Sequence, residues 1–83
     1  MPPYAPERWQ RRRWETDSRF YVAEITQDLW GRWLLYRRWG SRKTARGNHQ
    51  TLPAASYEDA LALIEATAKR REQRDYREVS PKI

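Results

Sequence analysis

The sequence contains no cysteine, one histidine, one methionine, one phenylalanine and three glycines in 83 residues. Without cysteine there are no disulfides, no thiolate nucleophile and no Cys-based zinc site, which fits a reducing compartment. His49 stands alone, so no metal site can be assembled around it, and it reads as a surface residue. Three glycines make no phosphate-cradling loop. No serine lies in a nucleophile-elbow context, and no Ser/His/Asp set can be built. Apolar runs are short, as at residues 61–64, so no segment is expected to span a membrane. The N-terminal Met-Pro-Pro-Tyr-Ala-Pro lacks the apolar stretch of a signal peptide. These absences lead us to expect a cytoplasmic, monomeric, non-enzymatic protein, with no catalytic residue, no cofactor, no metal and no membrane contact.

What is present is positive charge and large rings. Lys and Arg number 17 against 11 Asp and Glu, for a net charge of +6. The surplus is concentrated in residues 19–53, where Arg19, Arg32, Arg37, Arg38, Arg42, Lys43 and Arg46 face only Glu24 and Asp28. Solubilising charge is usually spread out; concentrated charge makes a local field that attracts polyanions. Arginine dominates, and its planar fork suits phosphates and base edges. Five Trp and five Tyr are many rings for so short a chain, and Trp33, Tyr36 and Trp39 interleave with Arg32, Arg37 and Arg38. Arg beside aromatic faces is what exposed nucleotides stack on. Most of these rings are nevertheless expected to fill a small core.

Residues 1–17 hold three prolines, an Arg-Arg-Arg run and no Ile, Leu or Val. We read them as a flexible N-terminal arm preceding a domain at residues 18–80, with Trp9 and Trp14 packing back onto it; an added edge strand from Arg11 to Trp14 stays open as the alternative for its tail. Residues 19–26 are rich in β-branched and aromatic types and predict a strand. A turn follows, with Asp28 and Gly31 supplying its chemistry. Residues 32–39 predict a second strand, pairing with the first as a hairpin. Alternation puts Trp33, Leu35, Arg37 and Trp39 on one face and Arg32, Leu34, Tyr36 and Arg38 on the other. Residues 42–50 are read as a third, half-exposed strand interrupted near Gly47 and Asn48. Ser56 is a good N-cap, and Tyr57, Ala60, Leu61, Ile64 and Ala68 recur as one helical apolar stripe. Lys69, Arg70 and Arg71 then fall in the last turns, where the helix dipole favours cations, so they carry little weight towards binding. Residues 76–79 suit a short return strand. The expected fold is α+β: a small twisted antiparallel sheet of three to five strands with one helix on one face. Trp33 and Leu35 are the candidates to meet that helix.

The letters Trp30-Gly31-Arg32 fall in the predicted turn. Trp39-Gly40-Ser41 falls at a strand end, after Arg37 and Arg38. There the stretch from Arg37 through Trp39, Gly40, Ser41, Arg42, Lys43, Thr44 and Arg46 to Gly47 resembles the WGR domain family, with its basic strand end, its Trp-Gly-Arg signature and the Thr and Gly that follow. Ser56, Tyr57, Glu58, Asp59, Ala60 and Leu61 resemble the start of the family's helix. Arg19, Phe20 and Tyr21, with Asp28 to Trp33, resemble the first hairpin of small bacterial stand-alone members. The resemblance implies a sheet with one helix. It also implies a relation to the WGR domain of poly(ADP-ribose) polymerases, where the Trp and Arg of the signature contact DNA near a strand end.

The signature's third position is Ser41 here, with Arg42 next to it. Two readings stay open: a bulge at Gly40 lets Arg42 take over, or that contact is lost. For Trp39 stacking on a sugar or base and closing the sheet end as a core residue are both open. The expected function is DNA binding, phosphate-dominated and weakly sequence-specific, through Arg37, Arg38, Trp39, Arg42, Lys43 and Arg46. The alternative is a protein–protein interaction adaptor without catalysis, since exposed Trp, Tyr and Arg are also interface anchors.

Overall fold

A computed structural model describes residues 4–79. A 3-10 turn at Pro6–Arg8 leads into strands β1 (Gln10–Glu15), β2 (Arg19–Gln27), β3 (Trp33–Ser41) and β4 (Gly47–Pro53), helix α1 (Tyr57–Gln73) and the short β5 (Arg77–Glu78). The five strands form one antiparallel sheet in the order β4-β3-β2-β1-β5. The α+β expectation therefore holds. No helix among the described residues is long and apolar enough to cross a membrane.

The β2–β3 turn is built by Asp28. Its carbonyl accepts the Gly31 N–H at 3.0 Å, and its Oδ1 accepts the Trp30 and Arg32 N–H groups at 2.9 Å each. Gly31 closes the turn at φ 81°, which favours glycine. Pairing then runs without interruption from Gln27↔Trp33 to Arg19↔Ser41. The helix starts as read: Ser56 Oγ accepts the Asp59 N–H at 3.1 Å. Ala60, Ile64 and Ala68 are buried from the helix side, against Trp14, Tyr21, Ala23, Ile25, Trp33 and Leu35 of the sheet.

Two segments differ from the sequence reading. Residues 10–15, assigned there to a flexible arm, form β1, pairing with β2 from Gln10↔Ile25 to Glu15↔Phe20. One side chain decides this: Trp14 is 0 % exposed and edge-on to Tyr21. The segment before β1 is held as well, because the Gln27 side-chain Oε1 accepts the Ala5 N–H at 2.6 Å and the Trp9 indole N–H at 3.1 Å. Residues 1–3 of that arm, and residue 80 of the domain as read, lie outside the described residues. The third strand begins later than expected, at Gly47, and residues 42–46 make the β3–β4 turn, with Ser41 N–H donating to the Arg46 carbonyl at 3.1 Å.

Two half-buried carboxylates are held below their ordinary values. Glu15 is lowered chiefly by the hydrogen bond from Arg13, against a desolvation effect, with Arg42, Arg13 and Arg77 adding attraction. Desolvation raises Asp28, but its hydrogen bonds from Arg32 and Trp30 and the Arg32 charge outweigh it. A carboxylate depressed in the folded state adds stability that is fully present above its unfolded value and is lost as pH falls through the folded one. Thermal stability should therefore decline as pH drops below the ordinary values of 4.5 and 3.8. Calorimetric scans of Glu15→Gln and Asp28→Asn should show a shallower acid decline than the parent. An identical decline would remove these two groups as its cause.

Candidate nucleic-acid interface

Strand alternation sends Trp39 to the helix side of the sheet, where its cross-strand partners are Tyr21 on β2 and Asn48 on β4. The indole lies flat on Tyr21, with ring centroids 5.8 Å apart and an interplanar angle of 13°. It is half-buried and packs against the edge of the core. A groove of about 810 Å³ opens beside it, at the sheet end where α1 finishes.

The end of α1 places the far wall. Asp75 takes φ 66°, and the N–H groups of Asp75 and Tyr76 donate to the Glu72 and Arg71 carbonyls at 3.1 and 3.0 Å. This C-terminal motif satisfies the last helical carbonyls and turns the chain back towards β5. It fixes Arg71, Arg74 and Tyr76 along the groove. The Arg71 guanidinium sits 4.3 Å from the Tyr21 ring centroid and 5.2 Å from that of Tyr76, a cation held between two aromatic faces. Arg19 and Arg46 line it too, so four arginines and no acidic side chain share the groove with the indole.

Gly40 explains the middle of the Trp-Gly signature. A Cβ there would lie 2.8 Å from Gly47 Cα, closer still to the Arg46 carbonyl oxygen, and 3.2 Å from Phe20 Cε1. β3 and β4 pair at Gly40↔Gly47, and backbone cannot yield as a flexible side chain would. Gly40→Ala should cost ~1–3 kcal/mol, in the range of core overpacking, and should disturb the Trp39 and Arg46 positions. Urea denaturation checks the first, and the Trp39 indole chemical shift the second. A variant as stable as the parent would refute the close approach.

The ladder through Gly40 is regular, with Phe20↔Gly40 followed by Arg19↔Ser41, so no bulge carries Arg42 into the place of the signature arginine. Ser41 lines the groove. Arg42 turns away: its Nη1 donates to the Thr16 carbonyl at 2.8 Å and lies 3.6 Å from Glu15. Of the other sequence candidates, Arg46 reaches the groove, and Lys43 is exposed on the same β3–β4 turn. Arg37 shares the Trp39 face but lies further under the helix, near Leu63 and Thr67, and donates to Gln50 Oε1. Arg38 projects from the opposite face. Six candidates thus divide between two faces and a turn.

Sequence reasoning missed Arg19, Arg71 and Arg74. Arg19 is legible only once register is counted from the Asp28 turn, which puts it directly opposite Ser41. Arg71 and Arg74 are three residues apart at a helix end, where the dipole already accounts for cations.

A five-stranded sheet with one helix across it, and an indole beside an acid-free, arginine-lined groove, define a small basic binding module. The WGR domain family model matches residues 8–83, and the chain belongs to that family. WGR domains are non-catalytic modules associated with nucleic-acid binding in proteins like the poly(ADP-ribose) polymerases. No curated protein and no solved structure matches the chain.

Proposed function

We propose that the groove binds DNA through its phosphates, with Trp39 stacking on a sugar or base at a strand end. The observation that supports this reading is the flat Trp39–Tyr21 pair beside four arginines and no acid. Arg19, opposite Ser41, supplies the cation that the family signature carries one strand over. Arg46 and Arg74 extend the positive track, Lys43 strengthens its field, and Arg71 is the cation held behind the rings. Among the described residues only the end of α1 reaches the groove, through Arg71 and Arg74, and no helix lies along it, so recognition is of backbone and shape, with little base preference.

About three to five phosphate contacts give a slope of about −2.7 to −4.5 in log affinity against log salt. The test titrates blunt duplex, nicked duplex and single-stranded oligonucleotides at two salt concentrations, following the Trp39 indole signal. Duplex binding that perturbs this indole and weakens with salt is the expected result. No binding at low salt would favour the adaptor reading. Leu29 and Trp30 support that second reading: they are 93 % and 57 % exposed on the β2–β3 turn, at the opposite end of the sheet.

A further inference from the structure

The sheet face opposite α1 also carries rings and arginines. Phe20, Glu24, Tyr36, Arg38, His49, Arg11 and Arg13 project from it by strand alternation. Helix α1 packs on the other face, so this one has no covering element among the described residues. Neither Phe20 nor Tyr36 belongs to the hydrophobic core or packs against it. Val22, between Phe20 and Glu24 on this face, is buried by its neighbours, while Phe20 and Tyr36 are only half-buried.

Their surroundings are cationic. Arg13 and Arg38 lie over Phe20, at 4.9 and 5.5 Å from its ring centroid, and the His49 ring lies 6.1 Å from that of Tyr36. Glu15 and Glu24 are already engaged, by Arg13 at 2.8 Å and Arg11 at 3.5 Å. Arg38 is exposed and makes no ion pair among the described residues. A hollow of about 350 Å³ lies between the β3–β4 turn and this face, bordered by Phe20, Arg38, Arg46 and His49. Successive same-face positions along a strand are about 6.8 Å apart. Phe20, Arg38 with His49 opposite it, and Tyr36 therefore mark three steps along the sheet, a spacing an extended strand of nucleotides can follow.

We propose that this helix-free face is a second binding surface, for single-stranded nucleic acid, with bases stacking on Tyr36 and on the Arg38 guanidinium that Phe20 supports. Flat rings and guanidinium planes accept any base, and the unpaired positive charge draws the phosphates. The occupant is single-stranded because paired bases present no free face to such a platform. The proposal does not depend on the groove reading.

The single histidine makes the test selective. His49 reports on this face, and the Trp39 indole reports on the groove, so one set of NMR titrations separates them. A dT oligonucleotide of about ten residues, within the usual site sizes, should shift the His49 imidazole signals. Tyr36→Thr puts a strand-favouring β-branched residue in β3, and Phe20→Leu keeps Gly40 covered. Each should weaken dT binding about five- to tenfold, the loss of part of one base stack, and leave binding of a blunt hairpin duplex unchanged. If dT moves the Trp39 indole and leaves His49 fixed, or if both variants bind dT like the parent, the second surface does not exist. If dT moves His49 while no duplex binds at all, this surface stands and the groove reading falls.

Discussion

Glutamine at Arg19, Arg46 and Arg74 together is expected to lower affinity for a short blunt duplex about 10²-fold, with the fold intact. The three side chains come from β2, the β3–β4 turn and the end of α1, and all are exposed. Their replacement opens no cavity. Each phosphate contact contributes ~1 kcal/mol net, so three amount to ~3 kcal/mol. The salt slope should flatten by about 2.7, since each lost contact removes ~0.9. Arg71 is left in place because its guanidinium lies between Tyr21 and Tyr76, and its loss would confuse folding with binding. Arg42→Gln serves as the contrast: that side chain is tied to Thr16 and should change duplex affinity by less than about twofold, as a charge that contacts no phosphate. Fluorescence anisotropy across a salt series measures both quantities. A triple variant with the parent's slope would mean that the groove is not where phosphate binds.

Alanine at Trp14 is expected to cost ~3–5 kcal/mol, the usual range for a buried Trp. A chain of this size has a total stability of only roughly 4–12 kcal/mol. The variant should therefore lose at least roughly a quarter of the total stability. Trp14 is the largest fully buried side chain, set edge-on to Tyr21, and Tyr21 in turn supports Trp39. Removing residues 1–15 should have a still larger effect, because it also exposes the β2 edge and leaves β5 without its partner strand. Urea denaturation followed by far-UV circular dichroism measures the first effect. A truncated chain that still melts cooperatively would show β1 to be dispensable.

The prolines and the Arg-Arg-Arg run account for the difference at β1. A strand that gives only Trp14 to the core shows no alternating apolar pattern to recognise. Its other inward positions are polar: Arg12 forks onto Glu78 at 2.6 and 2.9 Å and reaches Glu65 on α1 at 2.8 Å. The β2–β3 hairpin was legible because Asp28 and Gly31 have turn chemistry that works locally. The helix was legible because Ser56 and the Ala60-Ile64-Ala68 stripe are both local signals. The start of β4 was not, because the polar residues on either side of Gly47 read alike.

The division of the arginines has a similar origin. Alternation along β3 correctly separated Arg37 and Trp39 from Arg38, and it left Ser41 and Arg42 on opposite sides once the ladder through Gly40 proved regular. The sequence alone thus determined which residues share a face of one strand, where the helix begins, and that positive charge is concentrated in the middle third. Those are consequences of periods of 2 and 3.6 residues and of a chain's own composition. Only the tertiary structure decided that Arg19, Arg46, Arg71 and Arg74 would share a groove with Trp39. That grouping depends on the pairing register and on where the helix ends over the sheet, and both are set by packing between segments far apart in the chain.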